Sequence, residues 1–594
     1  MIASFYQSLT EQVQKALFTL YGVEIQEDQI TFQETRKEFE GQVTIVVFPF
    51  TRFSKKSPEE TGKEIGTYLA GQVKEVQSFN VIKGFLNLAL EDDFWIRVLT
   101  EEIRKEGFGI FEEKSESVMV EYSSPNTNKP LHLGHIRNNL LGYSVAEILK
   151  AYGYKVIKSN LVNDRGIHIC KSMLAWQKFG KGETPHSSGL KGDHLVGKYY
   201  VKFDQEYKKE IETLLAEGQS EEEAKNNAPL IQEARSMLQK WEAGDEEVIA
   251  LWKKMNDWVY AGFEESYSRL GVDFDKFYYE SDTYLLGKSV VEKGLKEGVF
   301  FSKEDGSVWI DLTEEGLDEK LLLRGDGTSV YITQDIGTAE LKHNEYGMDN
   351  SVYVVGNEQD YHFNVLFSIL KKLNKPWADG LYHLSYGMVD LPSGKMKSRE
   401  GTVVDADDLM QEMHDTAKER TLELGKTDDL GEDEKNELYE TIGLGALKYF
   451  LLKVEPKRRL LFDPQESIDF QGHTGPFIQY THARIKSVLR NGNWEEGKVI
   501  ELPQTLMDVE RDMIQLLSTY PKVIEAAAKE YSPALVANFV YEVAKLFNKF
   551  YHELSILKAD TETEKHFRLI LAKATASVIE SGMKLLGIRV PERM

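Results

Sequence analysis

The stretch SVMVEYSSPNTNKPLHLGHIRNNLLGYSVAEILKAYGYKVIKSNLV (117–162) decides the fold class of this chain. It opens with an apolar run, SVMVEYSS, that predicts a buried strand, and the loop PNTNKP follows it. From Leu133 onward apolar side chains recur at helical spacing, and YKVIKSNLV (154–162) predicts a second strand. Strand, loop, helix and strand in this order form the opening unit of a doubly wound parallel sheet.

The rest of the sequence predicts a multidomain α/β protein. We divide it into an N-terminal α+β domain, a Rossmann-like catalytic domain, a helical connecting region and a C-terminal helical domain (1–115, 116–405, 406–474 and 475–594). A charged segment at about 181–254 predicts a solvated helical hairpin inserted in the catalytic domain. Strands are also predicted at 42–50, 81–90, 299–312 with an Asp305-Gly306 turn, 329–333 and 351–356.

Composition narrows the class of protein. The chain has 594 residues, of which 41% are hydrophobic, and this length suggests roughly three to five domains. No apolar run of about 18 residues is present, so we expect no membrane partner. The start, MIASFYQSLTEQVQKAL, predicts a helix and not a signal peptide. Cys170 is the single cysteine, which excludes an internal disulfide and fits the cytoplasm, and a packed thiol is favoured over a catalytic one.

The charge is unevenly distributed along the chain. The net charge is −25, which by itself argues against a nucleic-acid partner. From Gly475 to the end, however, basic and acidic residues nearly balance, so the preceding residues carry almost all of the negative charge. A phosphate-binding face in the C-terminal region is therefore plausible on charge grounds.

Two short motifs suit the handling of a polyphosphate. His132-Leu133-Gly134-His135 falls where a predicted strand ends and a helix begins, and a helix start offers free N–H groups to phosphate. The second motif, KMKSREG (395–401), follows the turn PSG (392–394). A lysine-rich loop of this kind suits a clamp on pyrophosphate, whose charge grows as the α–β bond breaks. Either motif alone would be a weak signal.

Together the two motifs resemble the HIGH and KMSKS signatures of class I aminoacyl-tRNA synthetases. Further stretches resemble the arginine-specific family: EYSSPNTNKPLHLGH (121–135), YITQDIG (331–337), VGNEQDYHF (355–363), GPFIQYTHAR (475–484) and VPERM (590–594). The last two are similar to its C-terminal anticodon-binding domain of the DALR type. The chain departs from the class pattern at Ser398, where a second lysine is usual. The resemblance implies that Lys129 replaces it.

The resemblance implies a fold, an activity and partners. The fold would be a Rossmann-like core with a helical insertion, an N-terminal α+β domain and a C-terminal all-α anticodon-binding bundle. The activity would be arginine activation by ATP with Mg²⁺, followed by transfer to tRNA(Arg). We expect a monomer without a tightly bound protein metal site. The N-terminal domain resembles the appended domain that contacts the outer corner of tRNA.

The resemblance also assigns candidate site residues. The catalytic set is His132, His135, Lys129 and Lys395. The ATP-binding set adds Gly134, Met388, Val389, Met396 and Ser398. A planar cation with five donors needs carboxylates, and the arginine-binding set is Glu121, Asn126, Glu280, Tyr331, Asp335 and Gln359. Asp335 follows the run SVYIT, which predicts a position near a strand's C-terminal edge. The tRNA-binding set is Phe477, Tyr480, His482 and Arg484.

Two other classes of protein share part of this pattern. A small-molecule nucleotidylyltransferase also carries an HxGH phosphate site on a similar sheet, but it would not need a helical bundle of about 120 residues. A catalytically dead, tRNA-binding paralogue would act as a scaffold or regulator. The presence of His132, His135 and Lys395 argues against that second alternative.

Overall fold

The computed structural model describes residues 1–392, 404–424, 430–495 and 501–594. The N-terminal part is an antiparallel sheet with strand order β1-β2-β4-β3, covered by helices. Its elements are α1 (Ile2–Tyr21), β1 (Phe32–Glu34), β2 (Val43–Val46), α2 (Thr51–Ser54), α3 (Pro58–Gln72), β3 (Val76–Ile82), β4 (Phe85–Leu90) and α4 (Asp92–Arg97). The prediction of one strand over 81–90 is wrong, because Lys83 and Gly84 have positive φ and turn the chain between β3 and β4.

A five-stranded parallel sheet with strand order β12-β11-β5-β6-β7 forms the centre of the molecule. It begins with β5 (Ser117–Glu121), α5 (Leu133–Ala151), β6 (Lys155–Val162) and α6 (Ile167–Phe179). Strands in such a sheet are covered on both faces, and accordingly Val118, Met119 and Val120 are all buried. The predicted strand–loop–helix–strand unit and the parallel sheet are confirmed.

Five helices form the insertion between β6 and the next strand of the sheet. They are α7 (Pro185–Ser188), α8 (Gly192–Ala216), α9 (Glu221–Asn227), α10 (Pro229–Glu242) and α11 (Glu246–Leu270). The prediction of a solvated hairpin is wrong, because α8 packs against α6 and buries Leu195, Tyr199 and Phe203. Apolar side chains at helical spacing on α8 thus belong to the same core as α5 and α6, and the charged segment is packed against the catalytic domain.

The remaining strands of the sheet alternate with helices. In chain order the elements are β7 (Lys276–Tyr279), α12 (Glu280–Thr283), α13 (Lys288–Lys296), β8 (Phe301–Ser302), β9 (Val308–Ile310), β10 (Lys320–Leu323), α14 (Tyr331–Tyr346), β11 (Asn350–Gly356), α15 (Asp360–Lys372), β12 (Leu381–Tyr386) and β13 (Val389–Asp390). Strands β8 to β10 form a separate antiparallel sheet, and the hairpin predicted at Asp305-Gly306 is confirmed.

The prediction of a strand over SVYIT (329–333) is wrong. Val330 is the N-cap of α14, and Ile332, Ile336 and Ala339 are buried on one face of that helix. A short apolar run cannot distinguish a strand from the start of a buried helix, and here the helical spacing continues beyond it. Asp335 therefore lies in the second turn of a helix and not at the edge of a strand.

The C-terminal third is almost entirely helical. Its elements are α16 (Ala406–Leu424), α17 (Glu432–Leu452), β14 (Leu460–Leu461), α18 (Pro464–Ser467), α19 (Gly475–Asn491), α20 (Asp508–Ser518), α21 (Tyr520–Glu530), α22 (Pro533–Glu553) and α23 (Glu562–Leu585). Val543, Phe547 and Phe550 recur at helical spacing on α22 and are fully buried in the bundle. Strand β14 pairs in parallel with β13 in a two-stranded sheet that is separate from the five-stranded one. None of the helices in the described residues could span a bilayer.

Helix α5 approaches the sheet closely because residue 142 has no side chain. A Cβ atom there would lie 2.2 Å from Cγ of the buried Tyr122. We expect Gly142→Ala to lower the free energy of unfolding by about 1–3 kcal/mol through overpacking. The matched control is Gly71→Ala in α3, where the space is open and alanine should add up to about 1 kcal/mol. Urea unfolding followed by circular dichroism measures both, and equal stabilities of the two variants would contradict this account.

Candidate active site

The HLGH motif forms the N-terminus of α5. His132 is the N-cap, and its Nδ1 accepts the N–H of Gly134 at 3.1 Å. His135 returns the contact, since its Nδ1 accepts the N–H of His132 at 3.2 Å. The two rings lie with their centroids 3.9 Å apart. This reciprocal capping box holds both imidazoles at the helix start, where anions are favoured.

Both imidazoles are neutral at physiological pH. Burial and the nearby charge of Lys129 lower the pKa of His132 to about 4. Burial, His132 and Lys129 hold the pKa of His135 well below its usual range. Because each Nδ1 accepts a backbone N–H, the single proton of each neutral ring is on Nε2. The pair therefore offers two uncharged donors to a phosphate.

The described residues include Lys129 of the predicted catalytic set and Met388 and Val389 of the predicted ATP-binding set. Lys129 is half-buried just upstream, and burial lowers the pKa of its ammonium group. Met388 is 49% exposed, and Val389 belongs to β13. Lys395, Met396 and Ser398 lie outside the described residues. The described residues continue from Val404, whose carbonyl accepts the N–H of Leu133 at 3.0 Å.

Arg137, one turn into α5, connects these parts although the sequence analysis did not select it. It is fully buried, and its guanidinium donates to the carbonyls of Gly387 (2.7 Å), Met388 (3.4 Å), Pro456 (3.1 Å) and Arg458 (2.9 Å). Burial lowers its pKa to about 10, so it remains charged at neutral pH. Arg137 thus links the backbone of Gly387 and Met388, which precede the KMKSREG motif, to the helix that carries HLGH.

An acidic pocket lies beyond the same edge of the sheet. Glu280 follows β7, and Asp335 on α14 is brought toward it because Gly337 allows α14 to contact the Leu286-Gly287 backbone. Burial raises the pKa of Glu280 to about 7; Arg165 opposes this shift, and Asp164 and Asp335 add to it. The two predicted acids therefore share one electrostatic environment. A cation in this pocket would restore the charged form of Glu280.

Two residues that sequence reasoning missed shape this pocket. Nε2 of His362 lies 2.6 Å from a carboxylate oxygen of Asp335, and His362 is part of the VGNEQDYHF stretch quoted above. Asp164, directly after β6, accepts the N–H of Ser281 at 2.8 Å and its hydroxyl at 2.7 Å. Asp164 thereby fixes the residue next to Glu280. The only available signal for Asp164 was its place at the end of a parallel strand.

The remaining predicted arginine-binding residues have different surroundings. Glu121 is buried at the end of β5 in an ion pair with Lys342. Asn126 bridges to Asn163 in the loop that precedes HLGH. Tyr331 is 76% exposed at the first turn of α14, and Gln359 is exposed after β11. All except Tyr331 lie in or after strands of the parallel sheet, at the edge where HLGH lies.

The predicted RNA-binding residues fall into two groups. Arg484 lies between the rings of Tyr480 and Tyr551, at 4.8 and 5.4 Å, and Phe477 packs against Tyr541. The sequence analysis did not select Tyr541 and Tyr551, which lie on α22. His482, in contrast, is buried and lies 3.0 Å from the carbonyl of Pro591. We therefore assign His482 to the packing of the C-terminal tail and not to RNA contact.

The doubly wound parallel sheet and the HLGH turn at the start of its first helix are those of the class I aminoacyl-tRNA synthetases. The family model for the catalytic domain of class I tRNA synthetases (R) matches residues 98–463, and the DALR anticodon binding domain matches residues 478–594. The chain belongs to the arginyl-tRNA synthetase family.

Known relatives resemble the chain over its whole length. An arginine–tRNA ligase of Bacteroides thetaiotaomicron is 58% identical over 592 residues, 99% of each chain. That of Porphyromonas gingivalis is 54% identical over the full length of both. The arginyl-tRNA synthetase structure from Thermus thermophilus superposes with a TM-score of 0.79 at 24% identity, covering 99% of this chain and 100% of that one. The Plasmodium falciparum structure gives 0.76 at 19% identity, covering 99% of each. These two structures show the fold.

The double role of His132 can be separated by mutation. His132→Asn keeps a good N-cap but removes the donor at the position of Nε2. We expect stability to hold and kcat for ATP–pyrophosphate exchange to fall roughly 10²–10³-fold. His132→Gln is the matched control, because it keeps a donor and loses the cap, at about 1 kcal/mol of stability. The neutral state of His132 would be contradicted by a wild-type rate that follows an ionisation near pH 6.5, if this ionisation is absent from the pH profile of His132→Asn.

Proposed function

We propose that this protein is an arginine–tRNA ligase. It activates L-arginine with ATP to arginyl-adenylate and transfers the arginyl group to the 3′-terminal ribose of tRNA(Arg), releasing AMP and pyrophosphate. The observation that carries this proposal is the acidic pocket of Glu280 and Asp335 beside the phosphate-binding start of α5. Acids face the cationic end of the amino acid, and neutral donors face the polyphosphate.

The first step needs no protein nucleophile. A carboxylate oxygen of arginine attacks the α-phosphorus of ATP, and the bond from that phosphorus to the bridging oxygen breaks, so that pyrophosphate leaves. His132 and His135 donate from Nε2 to the phosphates, and Lys129 adds positive charge at the same end. ATP enters as its magnesium complex, in which phosphate oxygens hold much of the cation's coordination shell. Positioning and charge stabilisation therefore supply the rate.

We assign Lys395, Met396 and Ser398 to the nucleotide side by resemblance. Gly134, Met388 and Val389 complete that side, and here the support is positional. Arg137 holds the carbonyls of Gly387 and Met388 against α5, so this backbone is fixed beside HLGH. A fixed backbone of this kind suits an adenine ring, which is read by main-chain groups and apolar contact.

Arginine selectivity follows from the charges in the pocket. Asp335 and Glu280 would accept from the guanidinium, with Tyr331 near the same end. Asn126, Gln359 and Glu121 would lie toward the α-amino and carboxylate groups. Because Lys342 already neutralises Glu121, the uncompensated negative charge is concentrated at the guanidinium end. An uncharged side chain would leave those acids unpaired, and this discriminates without a second hydrolytic site.

The second step uses the RNA. The terminal ribose hydroxyl, the 2′ one by class resemblance, attacks the carbonyl carbon of the adenylate, and AMP leaves with the electrons of the broken bond. For recognition of tRNA(Arg) we propose a face made by Phe477, Tyr480, Arg484 and, in addition, Tyr541 and Tyr551. Aromatic rings with an interleaved guanidinium suit unstacked bases. We further propose a cytoplasmic monomer, since one chain supplies every residue of the site described above.

The activity itself is the first test. The purified full-length chain with ATP and Mg²⁺ should esterify arginine to total tRNA. It should not esterify lysine, glutamate or citrulline. Acid-gel separation of charged tRNA measures this. Pyrophosphate exchange with no tRNA product would favour the nucleotidylyltransferase alternative, and tRNA binding without either reaction would favour the inactive paralogue.

The raised pKa of Glu280 gives the pocket a pH signature. The empty site holds this carboxyl protonated below about pH 7, whereas bound arginine requires its charged form. KM for arginine should therefore rise as the pH falls from 8 to 6. Glu280→Gln should raise KM at pH 8 and remove this pH dependence.

Asp335→Asn should lower kcat/KM for arginine roughly 10²-fold while KM for ATP moves little.

A further inference from the structure

A cluster of charged side chains joins the helical insertion to residues 404–407, which contact the HLGH motif. Nζ of Lys191, before α8, contacts a carboxylate oxygen of Asp407 and lies 3.3 Å from Asp193. Nε2 of His194 lies 3.0 Å from Asp407 and 3.5 Å from Asp405. Ser266 on α11 completes the cluster, donating to Asp407 at 2.9 Å and accepting from Lys191 at 2.5 Å.

The cluster is built around an internal cation. Asp193 is fully buried, and Gly262 on α11 allows it to lie there, since a Cβ at 262 would be 2.3 Å from its carboxylate. Asp193, His194 and Asp407 are spaced closely enough to bind a metal ion. The ammonium of Lys191 already lies against both carboxylates, so we assign them no metal. Three carboxylates then face one lysine, and the excess charge acts on His194.

The charges of the cluster act on the imidazole of His194 and favour its protonated form. Burial alone would lower its pKa, but the hydrogen bond to Asp407 and the charges of Asp405 and Asp193 raise it, against the opposing charge of Lys191. The carboxyl of Asp407, although buried, has a pKa below its usual range because His194 and Lys191 contact it. Asp408, next along α16, adds negative charge on the side of Asp405.

The cluster reaches the phosphate site through a short antiparallel pairing. Leu133 donates to the carbonyl of Val404, and Ala406 donates to the carbonyl of Leu131, both at 3.0 Å. Asp405 is thereby paired directly with His132. Its carboxylate also caps α16, since it accepts the N–H of Asp407 at 2.9 Å. Residues 404–407 thus contact HLGH on one side and the cluster on the other.

The insertion touches the same site a second time. Gly197, one and a half turns into α8, lies against the loop before HLGH, and a Cβ there would be 2.8 Å from Cδ of Pro130. Lys129 lies immediately beside this contact, with its Cα 3.7 Å from the same point. Helix α8 therefore contacts the loop before HLGH, and the side chains at its start contact residues 404–407.

We propose that Lys191 and His194 are positioning residues for ATP. They fix residues 404–407 to α8 and so hold the HLGH backbone in the geometry that binds the phosphates. The start of α8 then sets the nucleotide site, whereas α11 of the same insertion contributes to the arginine pocket, because Asn256 and Tyr260 donate to Asp164. This inference rests on the proposed function, because its readout is the ATP dependence of arginine activation.

The test uses His194→Gln in the full-length chain with tRNA(Arg). Glutamine keeps a donor near Nε2 but cannot carry the charge, so we expect KM for ATP at pH 7 to rise about five- to tenfold. KM for arginine should change less than twofold. The wild-type KM for ATP should rise with pH as His194 loses its proton, and the variant should lack this dependence. The matched control is His186→Gln, an exposed histidine of the same insertion, which should behave as the wild type.

Lys191→Met provides a second, stronger variant. It removes the internal cation, so KM for ATP should rise more than in His194→Gln, and Asp193→Asn added to it should recover part of the loss. Unchanged KM for ATP and an unchanged pH profile in His194→Gln would overturn the inference, as would equal effects on arginine and ATP. A wild-type chain that charges no tRNA would overturn the proposed function instead, so the two failures are distinguishable.

Discussion

The geometry of the site depends on one buried charge. Arg137 carries a guanidinium into the interior and satisfies four of its N–H groups with main-chain carbonyls from two separate segments. A buried charge costs several kcal/mol when its partners are lost, so Gly387–Met388 and Pro456–Arg458 cannot move independently of α5. The catalytic sheet, the nucleotide backbone and the approach to the helical bundle are therefore one mechanical unit.

The site separates charge along the edge of the sheet. At the start of α5 the donors are neutral, because burial removes the proton that would make His132 cationic. In the acidic pocket burial raises the pKa of Glu280 to about 7, and the negative charges of Asp164 and Asp335 add to this shift. A ligand that is anionic at one end and cationic at the other is favoured in a single orientation. Orientation is what an in-line displacement at phosphorus requires.

Much of this was predictable from the sequence, and the misses share a cause. The parallel sheet and the position of HLGH at a helix start could be predicted because the apolar residues of β5 and α5 have the spacing typical of a buried strand and of a helix. The strand predicted over SVYIT is wrong because a five-residue apolar run fits both the strand period and the helix period. The side chains that distinguish the two, such as Ile336, lie beyond this run. Asp164 and Arg137 were missed because their partners are distant along the chain, Ser281 for one and Pro456 for the other. Only the folded chain shows such contacts.

The buried pair of Glu121 and Lys342 constrains how this protein can evolve. Both side chains are buried, one at the end of β5 and the other on α14. Replacing either alone leaves an uncompensated charge at a cost of about 3–5 kcal/mol, which is a large part of the stability of a typical domain. For folding stability alone, an apolar pair of similar volume could replace the two charges. A change made one residue at a time must pass through a poorly folding intermediate to reach that apolar pair, so each of the two residues restricts replacement of the other.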